Sequence, residues 1–530
     1  SLPVAHTVPI LAYASMSDAA PDEDSADDSP VSQDSEPQDG TTGWSTAAPS
    51  ATPVERSVPE DQREPQTDWR TRLRNRWREV TPPQFFIGSF LLLIVLGTVG
   101  FQILPGLYTG PGLSWLDALF TATSAVCVTG LIVVDTATYF TTWGQAYILL
   151  LIQLGGLGII SFTSIIIVAL GKRMSLRQES IATGPSSVVR DIDYRDLTRA
   201  VFRFTLGIEA VGALGLYAAW VPQLGWGGAV WPSIFHAVSA FCNAGFSTFT
   251  TSLMGFQMNV PLLLVVMILI IVGGIGFLTL EELYLWNRGR SPDAGRFRLS
   301  IHSQLVLGTS AVLIVTGWLA FTLFEWNNTL ADLPSYARVT NGLFASVTTR
   351  TAGFNTIDYA DTRAHTNFLT ILFMSIGGSP GSTAGGLKTT TFAILGLVAW
   401  SRLRGLATVS ISNRSIPEST IQKAVGLFVT GLAILTVSIF LFSIFEMKGV
   451  GEDASHGTFL AILFEAVSAF NTVGLSAGVT GDLTMSGRWT TIVLMFIGRV
   501  GPLTVAAAMS RPRKTIVGGF RYAHEDVAVG

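Results

Sequence analysis

Charge is what this sequence has little of. Only 13% of its 530 residues are Asp, Glu, Lys or Arg, against about 25% in soluble domains. A hydrophobic share of 48% accompanies that shortage, so composition points to a membrane class before any motif is read. Cysteine is almost absent. Cys127 and Cys242 are the two, which excludes a disulfide framework. No His, Cys and carboxylate cluster has metal-ligand spacing, and no nucleophile–base arrangement is legible, so nothing supports an enzyme. No basic n-region precedes the mildly apolar residues 1–15, and an acidic stretch follows them, so a cleavable signal peptide is not expected. Met16 is a candidate natural start, residues 1–15 then being an extension.

What is present is distributed unevenly, and the net charge of −4 averages opposite segments. Residues 1–68 form an acidic tail rich in Ser, Asp, Glu, Pro and Ala, read as disordered because it cannot bury enough apolar surface to offset its ordering entropy. A docking tail is the alternative. Residues 69–84 are a basic juxtamembrane segment with Arg70, Arg72, Arg74, Arg76 and Arg78. An apolar span follows directly, which favours a membrane anchor over a nucleic-acid patch, and no nucleic-acid partner is expected. Eight long apolar segments lie near 85–104, 145–170, 200–221, 260–285, 304–325, 367–400, 421–446 and 489–509. Each is long enough to cross about 30 Å of hydrocarbon, which takes about 20 helical residues.

The connections sort by charge. Segments 105–144 and 222–259 contain no Lys or Arg. Segment 171–199 carries Lys172, Arg173, Arg177, Arg190, Arg195 and Arg199, and 286–303 carries Arg288, Arg290, Arg296 and Arg298. Segment 401–420 carries Arg402, Arg404 and Arg414, and the C-terminal segment Arg511, Arg513, Lys514 and Arg521. The positive-inside rule places these and both termini in the cytoplasm. The connections after the first, third, fifth and seventh spans then face outward.

Those outward connections repeat one text: LDALFTATSAVCVTGL, IFHAVSAFCNAGFS, GLFASVTTRTAGFN and LFEAVSAFNTVGLS. Aligned on Gly130, Gly245, Gly353 and Gly474, they are 115, 108 and 121 residues apart, a near-regular period that signals internal duplication. Each reads as a short helix followed by a Gly-containing strand. Such segments are too short and polar to span a bilayer, and non-helical backbone survives at that depth only when buried in protein or lining water. Four of them around one axis let backbone carbonyls replace the hydration shell of a cation. A helix-packing motif of small residues explains the Ser, Ala and Gly but not why all four copies lie in outward connections. The expected fold is an all-α membrane protein with four membrane–pore-loop–membrane repeats in one chain. Eight transmembrane helices and four re-entrant pore helices surround a central pore. The units are 85–175, 195–290, 300–405 and 418–512, followed by a cytoplasmic segment 513–530.

On these four segments the chain resembles the Trk/Ktr/HKT superfamily of potassium transporters, over roughly residues 80–530. The resemblance implies that K⁺ is bound by backbone carbonyls of Val128, Thr129 and Gly130, of Asn243, Ala244 and Gly245, of Thr351, Ala352 and Gly353, and of Thr472, Val473 and Gly474. Sodium-conducting plant relatives often carry Ser at the first glycine, so Gly130 favours K⁺. Most copies depart from the TVGYG text of potassium channels, which implies a less strict filter. The C-terminus RYAHEDVAVG looks like that of Ktr-type membrane subunits. That implies a homodimer in the plasma membrane, regulated by a cytoplasmic ring of RCK-type subunits that bind ATP and ADP, with a Na⁺ effect open.

The sixth span is interrupted by FMSIGGSPGSTAGGLKTTT, with Gly377, Gly378, Ser379, Pro380, Gly381, Ser382, Thr383, Ala384, Gly385 and Gly386 before Lys388. Gly and Pro at this density cannot continue a helix. A phosphate-binding loop requires Gly followed directly by Lys and Ser or Thr, whereas Leu387 intervenes here, so no nucleotide is expected on this chain. Five glycines exceed what a simple kink needs. The resemblance assigns 375–388 as an intramembrane gating loop and places Arg499 beneath the pore, against the loop. A structural Arg paired with backbone carbonyls is the alternative, although intramembrane charge is a functional candidate by default. Asp117 reads as a helix cap and Arg350 as a strut pointing away from the ion path. Cys127 and Cys242 read as small apolar groups behind the filter. Glu465 is a candidate buttress, and Glu209 either pairs internally or faces a cavity. A passive channel-like subunit is favoured over a Na⁺- or H⁺-coupled symporter with alternating access, because such carriers often contain inverted repeats and these four all face the same way.

Overall fold

A computed structural model describes residues 82–158, 194–287, 299–406, 408–412, 414–448, 452–502 and 504–505. The segment 1–68, most of 69–84, the second half of the 145–170 span and the terminus 513–530 lie outside the described residues.

The described chain is helical apart from one small hairpin. The main helices are α1 (Pro82–Ile103), α2 (Trp115–Val126) and α3 (142–158); α4 (Tyr194–Gly228), α5 (Val230–Phe241), α6 (Val260–Ile275) and α7 (Phe277–Asn287); α8 (Ile301–Glu325), α9 (Ser335–Thr348), α10 (Ala364–Met374) and α11 (Thr389–Leu403); and α12 (Glu418–Glu446), α13 (Glu452–Phe470) and α14 (Met485–Val500). Strands β1 (Ser410–Ile411) and β2 (Arg414–Ser415) pair antiparallel, with Ser410 opposite Ser415. Helix starts are chemically marked. Ser114, Asn259, Ser300 and Thr484 each accept a backbone N–H from three residues on, which satisfies one of the free donors of a first turn.

Among the described residues, four helices are long and apolar enough to cross a membrane: Pro83–Ile103, Val201–Gly228, Ile301–Glu325 and Glu418–Glu446. They fall on the expected first, third, fifth and seventh spans. Two of the even-numbered spans, the fourth and the eighth, differ from expectation. Segment 260–285 is not one continuous helix, because α6 and α7 meet at a bend of 102°. Gly276 sits there at φ 95°, a left-handed conformation that breaks a right-handed helix and that Gly alone adopts freely. Segment 489–509 breaks likewise after α14 at Gly501, φ 89°. Segment 367–400 is interrupted by residues 375–388 as its composition requires.

Packing turns the usual soluble pattern inside out. Leu92, Val211, Leu214, Leu323 and Phe440 on the long helices are exposed, as a hydrocarbon-facing surface demands. The interior instead holds short helices whose contacts are small: Ala118, Ala122, Ala125, Ala237, Ala240, Ala466 and Ala469 are fully buried. Glycines let the even spans press onto the ends of these helices. A Cβ on Gly155, Gly273 or Gly498 would overlap the carbonyl oxygen of Val126, Phe241 or Phe470, respectively. Small residues permit such close backbone approach between membrane helices.

The four units close into a ring. The Trp231 indole N–H donates to Gln145 at 2.7 Å, joining the second to the first. The Asn341 amide donates to the Gln257 carbonyl at 2.9 Å, joining the third to the second. The rings of Tyr359 and Phe464 pack 5.5 Å apart between the third and fourth. Arg488 pairs with Asp117 at 2.5 Å, returning the fourth to the first. Gly155→Val should therefore lower the thermal unfolding midpoint of the detergent-solubilised chain, by overpacking worth about 1–3 kcal/mol. Gly207→Ala, where a Cβ meets nothing within 4 Å, should not lower it. Equal midpoints for the two variants would contradict this packing.

Candidate functional site

The four Gly-containing segments adopt one backbone conformation. Two residues before each glycine, Val128, Asn243, Thr351 and Thr472 have φ of 55°, 58°, 69° and 51°. The glycines themselves follow at 92°, 71°, 80° and 88°. Left-handed φ is uncommon outside Gly, and in β-branched residues it is an outlier that surrounding structure must enforce. The enforcement is local. Thr129 N–H donates to the Ser124 carbonyl at 2.8 Å, Ala244 to Ser239 at 2.8 Å, Ala352 to Thr348 at 3.0 Å and Val473 to Ser468 at 2.8 Å. The hydroxyls of the same residues hold the far side. Ser124, Ser239 and Thr348 donate to the carbonyls of Leu131, Phe246 and Phe354, at 2.7, 2.8 and 2.5 Å. The Ser124 and Ser468 hydroxyls also accept the N–H of Gly130 and Gly474, each at 3.1 Å.

The glycines meet one another in chain order. A Cβ on Gly130 would overlap the Ala244 oxygen, and one on Gly245 would lie 2.9 Å from the Ala352 oxygen. One on Gly353 would lie 2.7 Å from the Val473 oxygen, and one on Gly474 would overlap the Thr129 oxygen. Each strand leans on the next, and the fourth leans on the first. The ring leaves no room for a side chain at any of the four positions.

Among the described residues, no N–H or O–H group donates to the carbonyls of the twelve strand residues 128–130, 243–245, 351–353 and 472–474. Buried carbonyls without a partner are rare. The buried hydroxyls of Thr129, Thr351 and Thr472 also lack a partner. Such a crowd of unpaired oxygens, with no charged donor among them, suits a small cation stripped of water. Beyond the glycines the ring opens into a cavity of about 300 Å³ lined by Asp135, Ser247, Thr250, Asp358, Ser476 and Thr480, among others. Its carboxylates favour cations at that mouth.

On the other side lies the loop 375–388. It is cross-tied by Gly377 N–H to the Leu387 carbonyl at 2.7 Å and Thr389 N–H to the Gly378 carbonyl at 3.1 Å. It touches the second unit, where Ser379 N–H donates to the Gly274 carbonyl at 3.0 Å and the Thr383 hydroxyl to the Phe241 carbonyl at 3.1 Å. Gly381 accepts the N–H of Phe277 at 3.1 Å. It touches the fourth unit too. Leu387 N–H donates to Asn471 Oδ1 at 3.3 Å, and a Cβ on Gly385 would overlap the Thr472 hydroxyl. The second and fourth units are opposite in the ring, so the loop spans it. Arg499 donates to the Thr383 carbonyl of the loop and to the Gly155 carbonyl of the first unit, the latter at 3.3 Å. Arg499 thus pairs with backbone carbonyls, one of which belongs to the loop. Lys388 folds back to the Ala384 and Gly385 carbonyls at 2.8 and 3.3 Å.

The remaining candidates sort plainly. Asp117 is the cap partner of Ser114, which donates to it at 2.8 Å, and it also carries the ion pair to Arg488. Arg350 extends from the third strand to the Ser310 hydroxyl at 2.8 Å. Glu465 accepts the hydroxyls of Ser476 and Thr480, two residues of the cavity wall. Glu209 pairs internally with the Gln153 amide at 3.0 Å. Cys127 and Cys242 are both buried in the hydrophobic core, as expected, and Cys242 also meets polar atoms. Its thiol lies 3.5 Å from Gln153 Oε1 and 3.9 Å from Glu209 Oε1, because two polar side chains from neighbouring helices end behind the second strand. Sequence reasoning missed the hydroxyls of Ser124, Ser239, Thr348 and Ser468, although the repeated TSA and SAF text carried three of them. It also missed Asn471 and the pairing of His236 Nε2 with the Ser247 hydroxyl at 2.9 Å.

Comparison with known proteins follows the same outline. The family TrkH, described as "Cation transport protein", matches residues 87–517. The chain is 40% identical to the Ktr system potassium uptake protein B of Bacillus subtilis over 458 residues, covering 86% of this chain and 98% of that one. It is 36% identical to the protein of the same name from Vibrio alginolyticus, covering 84% and 95%. It is 35% identical to the potassium/sodium uptake protein NtpJ of Enterococcus hirae, covering 88% and 100%. Among solved structures, the potassium transporter TrkH of Vibrio parahaemolyticus shares the fold. The TM-score is 0.64 at 20% identity, over 82% of this chain and 86% of that one.

The strand geometry makes its own prediction. Ser124→Ala leaves the Gly130 N–H and the Leu131 carbonyl without their partner, a cost of about 1–3 kcal/mol for buried groups. Ser468→Ala should act in the same direction. A thermal midpoint unchanged in both variants would contradict the role given to these hydroxyls.

Proposed function

Because this chain belongs to the TrkH family of cation transport proteins, we propose that it is a channel-like potassium-uptake subunit whose four glycine strands form a single selectivity filter. One observation carries the reading: twelve carbonyls without donors, on four strands that close into a ring through their glycines. The carbonyls of Val128, Thr129 and Gly130, and of their counterparts in the other three strands, take over the hydration shell of K⁺. The short helices α2, α5, α9 and α13 end at the strands, so their C-terminal partial negative charge favours a cation there. The curated relatives bear names of potassium uptake proteins, and Gly at all four positions agrees with K⁺ as the preferred ion. The potassium/sodium name of the third relative leaves room for a Na⁺ effect.

The full architecture in this reading is eight transmembrane helices and four re-entrant pore helices. The chain sits in the plasma membrane with both termini cytoplasmic. All four short helices lie on outward connections, which supports a passive central pore over an alternating-access carrier. The loop 375–388 is the gate. It spans the inner end of the ring from Thr383 at the second unit to Gly385 at the fourth, and the cations of Lys388 and Arg499 beside it raise the barrier for a permeating ion. The Ktr names of two relatives support a multi-subunit system. The sensor is then an RCK-type ring that binds ATP and ADP in place of this chain, acting on a homodimer.

Two outcomes test this. Gly130→Ser places a side chain against the Ala244 carbonyl and should raise the Na⁺-to-K⁺ permeability ratio in proteoliposomes about tenfold, or ~1.4 kcal/mol of discrimination. An unchanged ratio would remove the filter assignment. Arg499→Ala should raise basal K⁺ flux in vesicles, and a folded variant with parental flux would leave Arg499 a structural residue only.

A further inference from the structure

Among the described residues, the contact between loop and fourth strand has no counterpart in the other strands. Asn471 follows α13 immediately, where Cys127 and Cys242 stand in the first two units. Its amide nitrogen donates to the Val467 carbonyl at 3.1 Å, which fixes the rotamer and turns Oδ1 towards the loop. That oxygen accepts Leu387 N–H at 3.3 Å. Gly386, at φ 65°, lies flat against the same residue, where a Cβ would come 2.6 Å from Oδ1 and 3.0 Å from the Asn471 Cα. Gly385 presses on the side chain of Thr472, with Cβ and Cγ2 each 3.0 Å from where its own Cβ would stand.

Thr472 is the strained member of that strand, a β-branched residue at φ 51°. Ser468 restrains the strand beyond it, through the N–H groups of Val473 and Gly474. The loop is what restrains it from the other side. Cys242, at the matching place in the second strand, turns to Gln153 and Glu209 instead. We propose that Asn471 is a positioning residue that couples the loop to the fourth strand, so that displacing the loop changes the cation preference of the ring. The coupling is reciprocal by linkage: a filter holding K⁺ favours the seated loop. The inference rests on reading the ring as filter and 375–388 as gate.

The test is a two-by-two comparison in proteoliposomes of the full chain. The parental Asn471 or the substitution Asn471→Ala is combined with the intact loop or with a deletion of Gly378–Gly385, and rubidium and sodium uptake are measured for each. With the loop intact, Asn471→Ala should raise the sodium-to-rubidium ratio about fivefold, the worth of one hydrogen bond. With the loop shortened it should change the ratio less than about twofold, since the partner is already displaced. An equal shift in both backgrounds, or a shift in neither, overturns the coupling. Failure of the deletion to raise rubidium flux in the chain that keeps Asn471 overturns the gate reading instead, and is read separately from the ratio. Gly386→Ala approaches the contact from the loop side and should move the ratio in the same direction. If Asn471→Ala does not fold, an unchanged ratio in Gly386→Ala overturns the proposal.

Discussion

Backbone carbonyls gathered on the four glycine strands without a donor among the described residues are the constraint on which the rest of this structure depends. Each such group costs about 1–3 kcal/mol where it is buried and nothing pairs with it. Twelve are gathered on the strands of Gly130, Gly245, Gly353 and Gly474. They persist because the surroundings over-determine the backbone. Serine and threonine hydroxyls pin each strand to its own short helix, and each glycine is packed on the next strand. The close approach of Gly155, Gly273 and Gly498 to the ends of three short helices fixes those helices in turn. The long apolar helices then serve as a wall that keeps this interior out of lipid.

Fourfold repetition stops at the ring. The third unit spends its second span on the loop 375–388, and the loop is tied to residues of the other units through Phe241, Asn471 and Arg499. A repeated scaffold supplies a cavity with near symmetry, and a single asymmetric segment closes one end of it. In the proposed gate reading, ties that are individual hydrogen bonds rather than a packed core leave such a segment two arrangements. Its glycines serve the seated arrangement that the structure shows. Gly385 and Gly386 are where the loop lies against Thr472 and Asn471, and any side chain would hold it off.

Much of this was legible in the sequence, and the reason is steric. A glycine demanded by a neighbouring backbone recurs at each copy of the unit, so the four segments align on it, and the odd-numbered spans 85–104, 200–221, 304–325 and 421–446 are long apolar runs without proline. The bend at Gly276 was not legible. Nothing in GGIGF marks Gly276 over Gly273 and Gly274, which stay helical, and only the fixed position of Gly381, whose carbonyl takes the N–H of Phe277, shows why the helix must turn there. The links between units were hidden too. Gln145 to Trp231 and Arg488 to Asp117 join residues 86 and 371 positions apart, and no local pattern announces them. The polar neighbours of Cys242, Gln153 and Glu209, were hidden as well, because they come from different helices.

The central claim is that the unpaired carbonyls of the four strands hold a dehydrated monovalent cation. Anomalous diffraction from crystals grown with thallium, a heavy stand-in for K⁺, tests it directly. The account predicts anomalous density inside the ring, between the carbonyls of Thr129, Ala244, Ala352 and Val473, and its loss when potassium is added in excess. Density confined to the carboxylates of the outer cavity, or none within the ring, would contradict it.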